Sequence, residues 1–483
     1  MVVLTLYSHA RAAAQKSNTP TFTEQVAPII FQNCAVCHRP GEIGPFPLLT
    51  YQDVRKRARQ IAEATGKRYM PPWQAESGHV ELLHPRVLSS QQIETLRRWY
   101  EAGAPEGDPK KMPKLPEFPQ GWQLGKPDLV LKMQRPFHFY AEGRDVYRNF
   151  VFPLNLTEDK WVQTIEFRPS ARSIVHHALF FLDTTGTARE MAAADPGPGY
   201  EDRGRSGRLF TPVGGWAVGS NVRALPDGLA YHYPSNADLV VQTHFHPTGK
   251  PEDELTTIGL YFAKQPPKQS FVGIQLPPAF GEFSGIDIPA GETNYVVRDA
   301  LTLPVDVEAF SIAPHAHYLG KVMMMKATLP EGSEKILLKI PDWDFAWQEE
   351  YTFKDRVRLP KGTRLETEMI YDNSATNPRN PTSPPVRVKW GPQSTDEMGS
   401  VTLHVVTVRE EDTGTLRDAV KDHAVDTLID RALSRPRPGP MVKALLRKFD
   451  TDGDGKLNPE ERANLHEYLK NNDRLPGALN NSF

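Results

Sequence analysis

The chain has 483 residues, more than one hydrophobic core usually supports, so roughly two to four domains are expected. Its 57 Lys and Arg against 59 Asp and Glu leave a formal net charge of -2. This balance excludes a general attraction to nucleic acid or anionic lipid and favours a small-molecule function. No apolar run approaches the roughly 18 residues of a membrane helix, so no transmembrane segment is expected.

Residues 1–18 are predicted to be a leader or a disordered terminus. Val2 to Leu6 is apolar, and Ala12 to Ala14 before Gln15 resemble a signal-peptidase site, but no basic segment precedes them. We interpret this stretch as a truncated or misassigned leader and exclude it from the fold. The protein is therefore expected to be exported, to the periplasm or the extracellular space. A plain disordered N-terminus is the alternative.

The two cysteines of the chain lie in one short motif. Cys34, Cys37 and His38 form a CxxCH sequence, the pattern in which two thioethers fix a haem and the histidine ligates its iron. A redox CxxC or half of a zinc site is the alternative, but a zinc site would need another thiolate pair. The motif predicts a covalent haem c.

A distal haem ligand is also predicted. Met70, which two prolines follow, offers a thioether on a stiffened loop, and His/Met ligation would raise the potential of the haem. His79 and His84 compete for this role, and Met70 as a packing residue is the remaining alternative.

Helices suited to a small haem domain are predicted nearby. Asp53 to Ile61 lacks helix breakers, and Ser89 with Gln92 forms a capping box before residues at helical spacing. Residues 19–108 resemble cytochrome c domains, which implies a small all-α domain. A proline-rich linker is predicted at 109–124.

From about 125 to 410 the pattern changes to short alternating strands bounded by Pro, Gly and Asn. The clearest are Val162–Phe167, Thr257–Phe262, Arg364–Tyr371, Val386–Trp390 and Val401–Val406. Two antiparallel β-sandwiches of jelly-roll type are expected. We divide them into 125–280 and 281–410, at the Pro/Gly-rich stretch around Pro277 to Gly291.

Three histidine pairs mark these predicted sandwiches: His176 with His177, His244 with His246, and His315 with His317. A His-x-His pair on a strand points both imidazoles to one face and makes a two-point clamp for a metal. Adjacent histidines on a regular strand face apart, so the first pair needs a bend or a bulge unless only one member coordinates.

Residues 125–410 resemble the copper type II ascorbate-dependent monooxygenase family, whose members include peptidylglycine α-hydroxylating and dopamine β-monooxygenases. The resemblance implies an electron-transferring copper held by His176, His177 and His244. It implies a second, oxygen-binding copper held by His315, His317 and Met398, the last in an Asp-Glu-Met sequence.

The ligand chemistry agrees with the resemblance. Three imidazoles suit copper in two oxidation states, whereas two imidazoles and a thioether favour Cu(I). Two alternatives remain. Met398 could be a core methionine, and the whole set of residues could belong to a zinc-binding or copper-carrying protein. His246 is expected to be either a ligand or a partner of one.

Two departures from the family limit what the resemblance implies. Its peptide-amidating members have an Arg and a Tyr that hold the peptide carboxylate, where this chain has Ala313 and Thr402. Amidated-peptide substrates are therefore not implied. The disulfides of the animal enzymes are also missing, so the sandwiches must rely on their cores.

The C-terminal part carries a twelve-residue EF-hand pattern. Its calcium ligands would be Asp450, Asp452, Asp454, the carbonyl of Lys456, Asn458 and Glu461. Gly455 makes the turn, and helices are expected at Met441–Phe449 and Arg462–Leu469. We predict a helical linker at 411–437 and an EF-hand segment at 438–483. An acidic surface loop without calcium is the alternative.

Together these features predict a multidomain oxidoreductase with two coppers, a covalent haem c and a calcium ion. The expected activity is copper-dependent hydroxylation of a C–H bond of a small organic substrate with O2, the electrons being relayed from the haem. An external electron donor is a further expected partner. One alternative is a non-catalytic copper-binding or electron-transfer protein, but such a protein has no need of two different copper sites. Another is a calcium-regulated adhesin, which leaves the haem unexplained.

Overall fold

The computed structural model describes residues 19–42, 44–118, 121–202, 209–217, 222–226, 228–434 and 439–471. The predicted leader at 1–18 and Pro119 of the predicted linker lie outside the described residues. The described residues form two compact units. The first comprises those up to Trp73 together with His84–Gly125, and the second comprises Gln74–Leu83 and those from Lys126 onward.

The first unit is helical. Its helices are α1 (Ala27–Asn33), α2 (Tyr51–Lys56), α3 (Ala58–Gly66) and α4 (Ser90–Glu101), with a π-helical turn at Phe22–Val26 and a 3-10 turn at Pro109–Lys111. The predicted capping box of Ser89 and Gln92 is present, and Thr50 with Asp53 forms another before α2. Both boxes fix where a helix begins because side chains satisfy its first amides. Phe22 and Trp99 are fully buried at the centre.

From Lys126 onward, the second unit begins with two antiparallel sheets. Its first strands are β1 (Leu129–Lys132), β2 (Phe137–Phe139), β3 (Val146–Pro153), β4 (Lys160–Arg168), β5 (Val175–Asp183), β6 (Tyr200–Glu201), β7 (Thr211–Ala217), β8 (Tyr231–Tyr233), β9 (Asp238–Phe245), β10 (Glu252–Glu254) and β11 (Thr257–Phe262). Their order is β1-β11-β4-β8 in one sheet and β6-β3-β9-β5-β7 in the other, with β10-β2 as a separate pair. Helix α5 (Thr187–Ala194) follows β5. Phe139, Phe180 and Phe245 are buried in one core that draws on both sheets.

A second pair of sheets follows, and each of these has four strands. Its strands are β12 (Phe271–Leu276), β13 (Asp287–Ile288), β14 (Tyr295–Thr302), β15 (Val307–Ala316), β16 (Gly320–Thr328), β17 (Glu334–Ile340), β18 (Tyr351–Leu359), β19 (Arg364–Tyr371), β20 (Val388–Lys389) and β21 (Gly399–Thr407). The sheets are β12-β21-β15-β18 and β14-β19-β16-β17, with β13-β20 as a short pair. β12 precedes residue 280 yet pairs with β21, so the change from the first sandwich to the second comes before Phe271.

The prediction of antiparallel β-sandwiches is confirmed at the level of a β-rich, sandwich-like fold. Thr257–Phe262 and Arg364–Tyr371 are strands with the predicted bounds. Of Val386–Trp390 only Val388–Lys389 is a strand, because that segment pairs with the equally short β13.

Three helices end the described chain: α6 (Thr413–Leu433), α7 (Pro440–Phe449) and α8 (Pro459–Asn471). Phe449, Leu457 and Leu465 pack with α6 and with Phe283, which precedes β13. Among the helices in the described ranges, none is long and apolar enough to cross a bilayer.

Candidate metal centres

The first candidate centre, the histidine triad of His176, His177 and His244, is built on two neighbouring strands. β5 carries the first two residues and β9 carries the third, and His177 lies opposite His244 in the antiparallel register. The register shifts between Val175 and His177. This irregularity is the bulge that two adjacent histidines require in order to face the same way.

The ring nitrogens of the triad converge. The Nδ1 atom of His177 lies 3.1 Å from Nδ1 of His176 and 3.4 Å from Nδ1 of His244, and one ring nitrogen of each residue lies within 4.8 Å of the others. Three nitrogens at about 2.0 Å from one metal ion in a trigonal plane are about 3.5 Å apart. The observed spacing therefore fits a single ion held by three imidazoles.

The triad is electrostatically prepared for a cation. Burial, with the neighbouring His244, lowers the pKa of His176 to about 3, and burial holds the pKa of His177 well below its ordinary value. Burial also lowers the pKa of His244, against the opposing effect of Asp145. All three imidazoles are therefore neutral at neutral pH, the form in which histidine binds a metal.

Asp145 bonds to the ring nitrogen of His244 that faces away from the other two histidines. The sequence had not indicated this role. Its carboxylate accepts a hydrogen bond from Nε2 of His244 at 2.9 Å, another from Nδ1 of His246 at 2.8 Å, and a third from the hydroxyl of Ser394. Burial alone would raise the pKa of Asp145, but the bonds from His244 and His246 hold it well below its usual range. The carboxylate fixes the tautomer of His244 so that Nδ1 faces the other two histidines.

The hydrogen bonds of Asp145 also show where the side chain of His246 lies. Its side chain is 54% exposed and is bonded to Asp145, and it is not among the three residues whose nitrogens converge. Of the two roles that the sequence left open for His246, this geometry matches the partner of a ligand.

The second candidate centre lies at the end of β15, in the other sandwich. The imidazole centroids of His315 and His317 are 5.3 Å apart. Nδ1 of His315 donates to the side-chain oxygen of Gln348 at 2.6 Å, and Nδ1 of His317 donates to the carbonyl of Asp396 at 3.2 Å. Because both Nδ1 atoms carry protons, the Nε2 atoms are the nitrogens available to a metal.

Glu397 links the backbone of His317 to that of Met398, the methionine of the predicted site. It is fully buried, and its carboxylate accepts backbone hydrogen bonds from His317 at 2.6 Å, Met398 at 2.8 Å and Leu319 at 3.0 Å. Burial raises the pKa of Glu397 to about 8, although these bonds favour the ionised form. Ala316 pairs with Gly399 between β15 and β21, so the backbones of the next residues, His317 and Met398, are neighbours at the end of this pair of strands.

The CxxCH motif of the first unit forms a turn directly after α1. The amide of His38 donates to the carbonyl of Cys34 at 2.9 Å, and Nδ1 of His38 donates to the carbonyl of Phe46 at 3.0 Å. This leaves Nε2 of His38 for an iron. Gly44 is required by close packing, since a Cβ there would lie 2.7 Å from the carbonyl oxygen of Cys37.

The predicted distal ligands divide between the two units. Met70 and His84 belong to the unit that holds His38, whereas His79 belongs to the other, where it bonds to Glu76 at 2.9 Å. Met70 is half-buried.

The EF-hand pattern falls on the loop between α7 and α8. Carboxylate oxygens of Asp450, Asp452 and Asp454 lie within 4.8 Å of one another. Glu461 accepts hydrogen bonds from the amide of Thr451 at 2.6 Å and from the amide of Asn458 at 2.9 Å, so it closes the loop across its ends. Gly455 has a φ of 79°, the left-handed conformation that favours glycine at this turn.

The comparisons with known proteins found no family model and no curated protein that matches this chain. Among solved structures, it is similar to peptide-N(4)-(N-acetyl-β-D-glucosaminyl)asparagine amidase, at 10% identity over 58% of this chain and 96% of that one, with a TM-score of 0.27. It is also similar to a protein of the Cowpea mosaic virus top component, at 9% identity over 60% of this chain and 91% of that one, with a TM-score of 0.27. Likenesses this weak carry no argument about activity.

Proposed function

We propose that this protein is a copper-dependent monooxygenase that hydroxylates a C–H bond of a small organic substrate with O2. The observation that carries the proposal is the difference between the two centres. One sandwich presents three converging imidazoles, whereas the other presents two neighbouring imidazoles and bonds the backbone amides of His317 and Met398 to one carboxylate. A carrier of one metal has no use for two chemically different sites, whereas a two-electron reaction with O2 does.

The residues present fit two copper ions. His176, His177 and His244 would hold the first through neutral imidazoles at a spacing that suits one ion. The second would be held by His315, His317 and Met398. When bound there, the two coppers supply one electron each, so that one oxygen atom of O2 enters the substrate and the other leaves as water.

The protein's own residues prepare these centres. Asp145 and Gln348 fix the tautomers of His244 and His315. These histidines therefore need no change of tautomer when a copper ion binds. Glu397 holds the backbones of His317 and Met398 on one carboxylate. Such a support would limit the movement of the Met398 backbone, which helps a weak thioether ligand to stay bound together with two stronger imidazole ligands.

The proposal assigns a covalent haem c to the first unit, held by Cys34, Cys37 and His38, with Met70 as the distal ligand. The orientation of His38 by Phe46 and the packing of Gly44 support this assignment. The electrons for the reaction are expected to come from this haem, which an external donor would reduce. Export to the periplasm or the extracellular space remains part of the proposal.

Asparagine in place of Asp145 is expected to weaken copper binding at the triad by about 10- to 100-fold, the effect typical of losing a carboxylate behind a metal-bound histidine. Asparagine keeps the size but loses the charge that fixes His244. Titration of the metal-free protein with Cu(I) would measure the change. Asp159→Asn is the matched control, because Asp159 makes the same kind of bond to an exposed histidine, His232. Equal affinities of Asp145→Asn and the parent would contradict the assigned role.

A calcium ion is proposed for the loop from Asp450 to Glu461. In the parent, calcium at about 100 times its dissociation constant should stabilise the fold by about 2.7 kcal/mol, and Asp450→Ala should lose this gain because it removes a ligand. Thermal unfolding with calcium and with a chelator measures both. Glu460→Ala, an exposed acidic change at a non-ligand position of the loop, should behave as the parent does. A parent that melts equally with and without calcium would refute the calcium site.

The proposed function is tested by metal analysis of the haem-loaded protein together with oxygen consumption over a panel of small apolar and aromatic compounds. We expect two coppers per chain and substrate-dependent oxygen uptake that the metal-free protein lacks. Two coppers with no uptake for any compound would favour a non-catalytic copper protein.

A further inference from the structure

The segment between β17 and β18, residues 341–350, reaches both candidate centres. Phe345 in its middle is 3% exposed. Its ring stacks on the imidazole of His176, with centroids 4.5 Å apart and planes at 25°. The same ring meets His317 edge-on at 5.5 Å. One side chain therefore packs against a histidine of each sandwich.

Hydrogen bonds connect this segment to the second centre both before and after Phe345 in the sequence. The indole of Trp343, which is fully buried, donates to the carbonyl of His317 at 3.2 Å. Gln348 accepts from His315 at 2.6 Å. The position of Phe345 is thus tied to the residues that would hold the second metal.

Two further anchors prevent the segment from moving away. Arg223, from the first sandwich, donates to the carboxylate of Glu349 and to the carbonyl of Glu350. Gln74 accepts from the amide of Asp344 at 2.6 Å and donates to its carbonyl at 3.0 Å. Phe345 is consequently a fixed spacer and not a side chain at the tip of a loose loop.

We infer that Phe345 is a positioning residue that sets the separation of the two candidate metal centres. His176 and His317 come from different sandwiches, and the ring of Phe345 fills the space between them. A close-packed interior is hard to compress, so such a ring stops the groups on either side of it from approaching further. The inference rests on the proposed function, because only that function makes the two histidine sites metal centres. The packing role of Phe345 can nevertheless be tested without any metal.

The metal-free test is amide hydrogen exchange. Phe345→Ala should raise the exchange rate by about tenfold or more in two segments at once, around His176 and around His317, because both lose their shared packing partner. Phe345→Leu should restore most of the protection, since it refills most of the volume. Phe280→Ala is the matched control: Phe280 lies 5.1 Å from His315 and has no ring contact with His176 in the described part of the chain, so only the second segment should respond.

With Cu(II) bound, pulsed electron paramagnetic resonance measures the separation itself. The parent should give one narrow distance, Phe345→Ala a broad distribution, and Phe345→Leu a distribution close to that of the parent. Faster exchange at only one segment, or a narrow unchanged distance in Phe345→Ala, would overturn the inference. The proposed function and the role of Phe345 can fail separately. If the parent binds fewer than two coppers but the variants show the expected exchange pattern, the proposed function is overturned and the role of Phe345 stands.

Discussion

Replacing Met398 by alanine is expected to leave most of the copper bound and to lower turnover by about 100-fold, equivalent to roughly 3 kcal/mol of transition-state stabilisation. A thioether is a weak ligand beside two imidazoles, so His315 and His317 should retain the metal. The thioether is expected to matter for the reaction with O2, because it favours Cu(I). Copper content and the oxygen-dependent rate, measured on the same preparation, test both parts.

Two variants separate the ligand role of Met398 from packing. Met398→Leu keeps the bulk of the side chain and removes the sulfur, so it should be as inactive as Met398→Ala. Met325→Leu makes the same change at a fully buried methionine of the same sandwich and should be as active as the parent. Normal turnover in Met398→Leu, or copper lost in proportion to activity, would contradict the assignment of Met398 as a ligand.

Replacing both Cys34 and Cys37 by serine is expected to lower multiple turnover with the physiological donor by about 100-fold or more, the scale by which a tether raises effective concentration. The double variant cannot form thioethers, and the chain then lacks its own covalently held electron carrier. Steady-state rates with the donor measure the effect.

A pre-reduction experiment shows whether this loss concerns electron supply alone. When both proteins are fully reduced chemically and mixed once with O2 and substrate, the parent and the double serine variant should form the first product at similar rates. In the parent, oxidation of the haem should accompany product formation. Haem that stays reduced while product accumulates, or a double variant that turns over normally with its donor, would refute the relay.

Local patterns were sufficient to predict much of the framework. The capping box of Ser89 and Gln92 starts α4 as expected, because capping depends on residues three apart. The bulge at His176 and His177 was one of the alternatives that the sequence left open, since two adjacent side chains on a regular strand cannot share a face. The strand Thr257–Phe262 has the bounds that the sequence pattern predicted.

The supporting residues of the two centres could not be predicted in the same way. Asp145 is 99 residues from His244 in sequence, and Gln348 is 33 from His315, so only the pairing of distant strands brings them together. Glu397 had a signal, because it directly precedes Met398, but its role depends on the backbone of His317 on another strand. Phe345 had none, since a single phenylalanine in a loop resembles any core residue.

The most direct test of copper-dependent monooxygenation is the origin of the oxygen atom in the product. The copper-loaded protein, given ¹⁸O2 and a compound that stimulates its oxygen uptake, should form product with one ¹⁸O atom per molecule. The metal-free protein and the His315→Ala variant should form none. Product that carries oxygen only from water, or labelled product that forms equally well without copper, would contradict the proposed function.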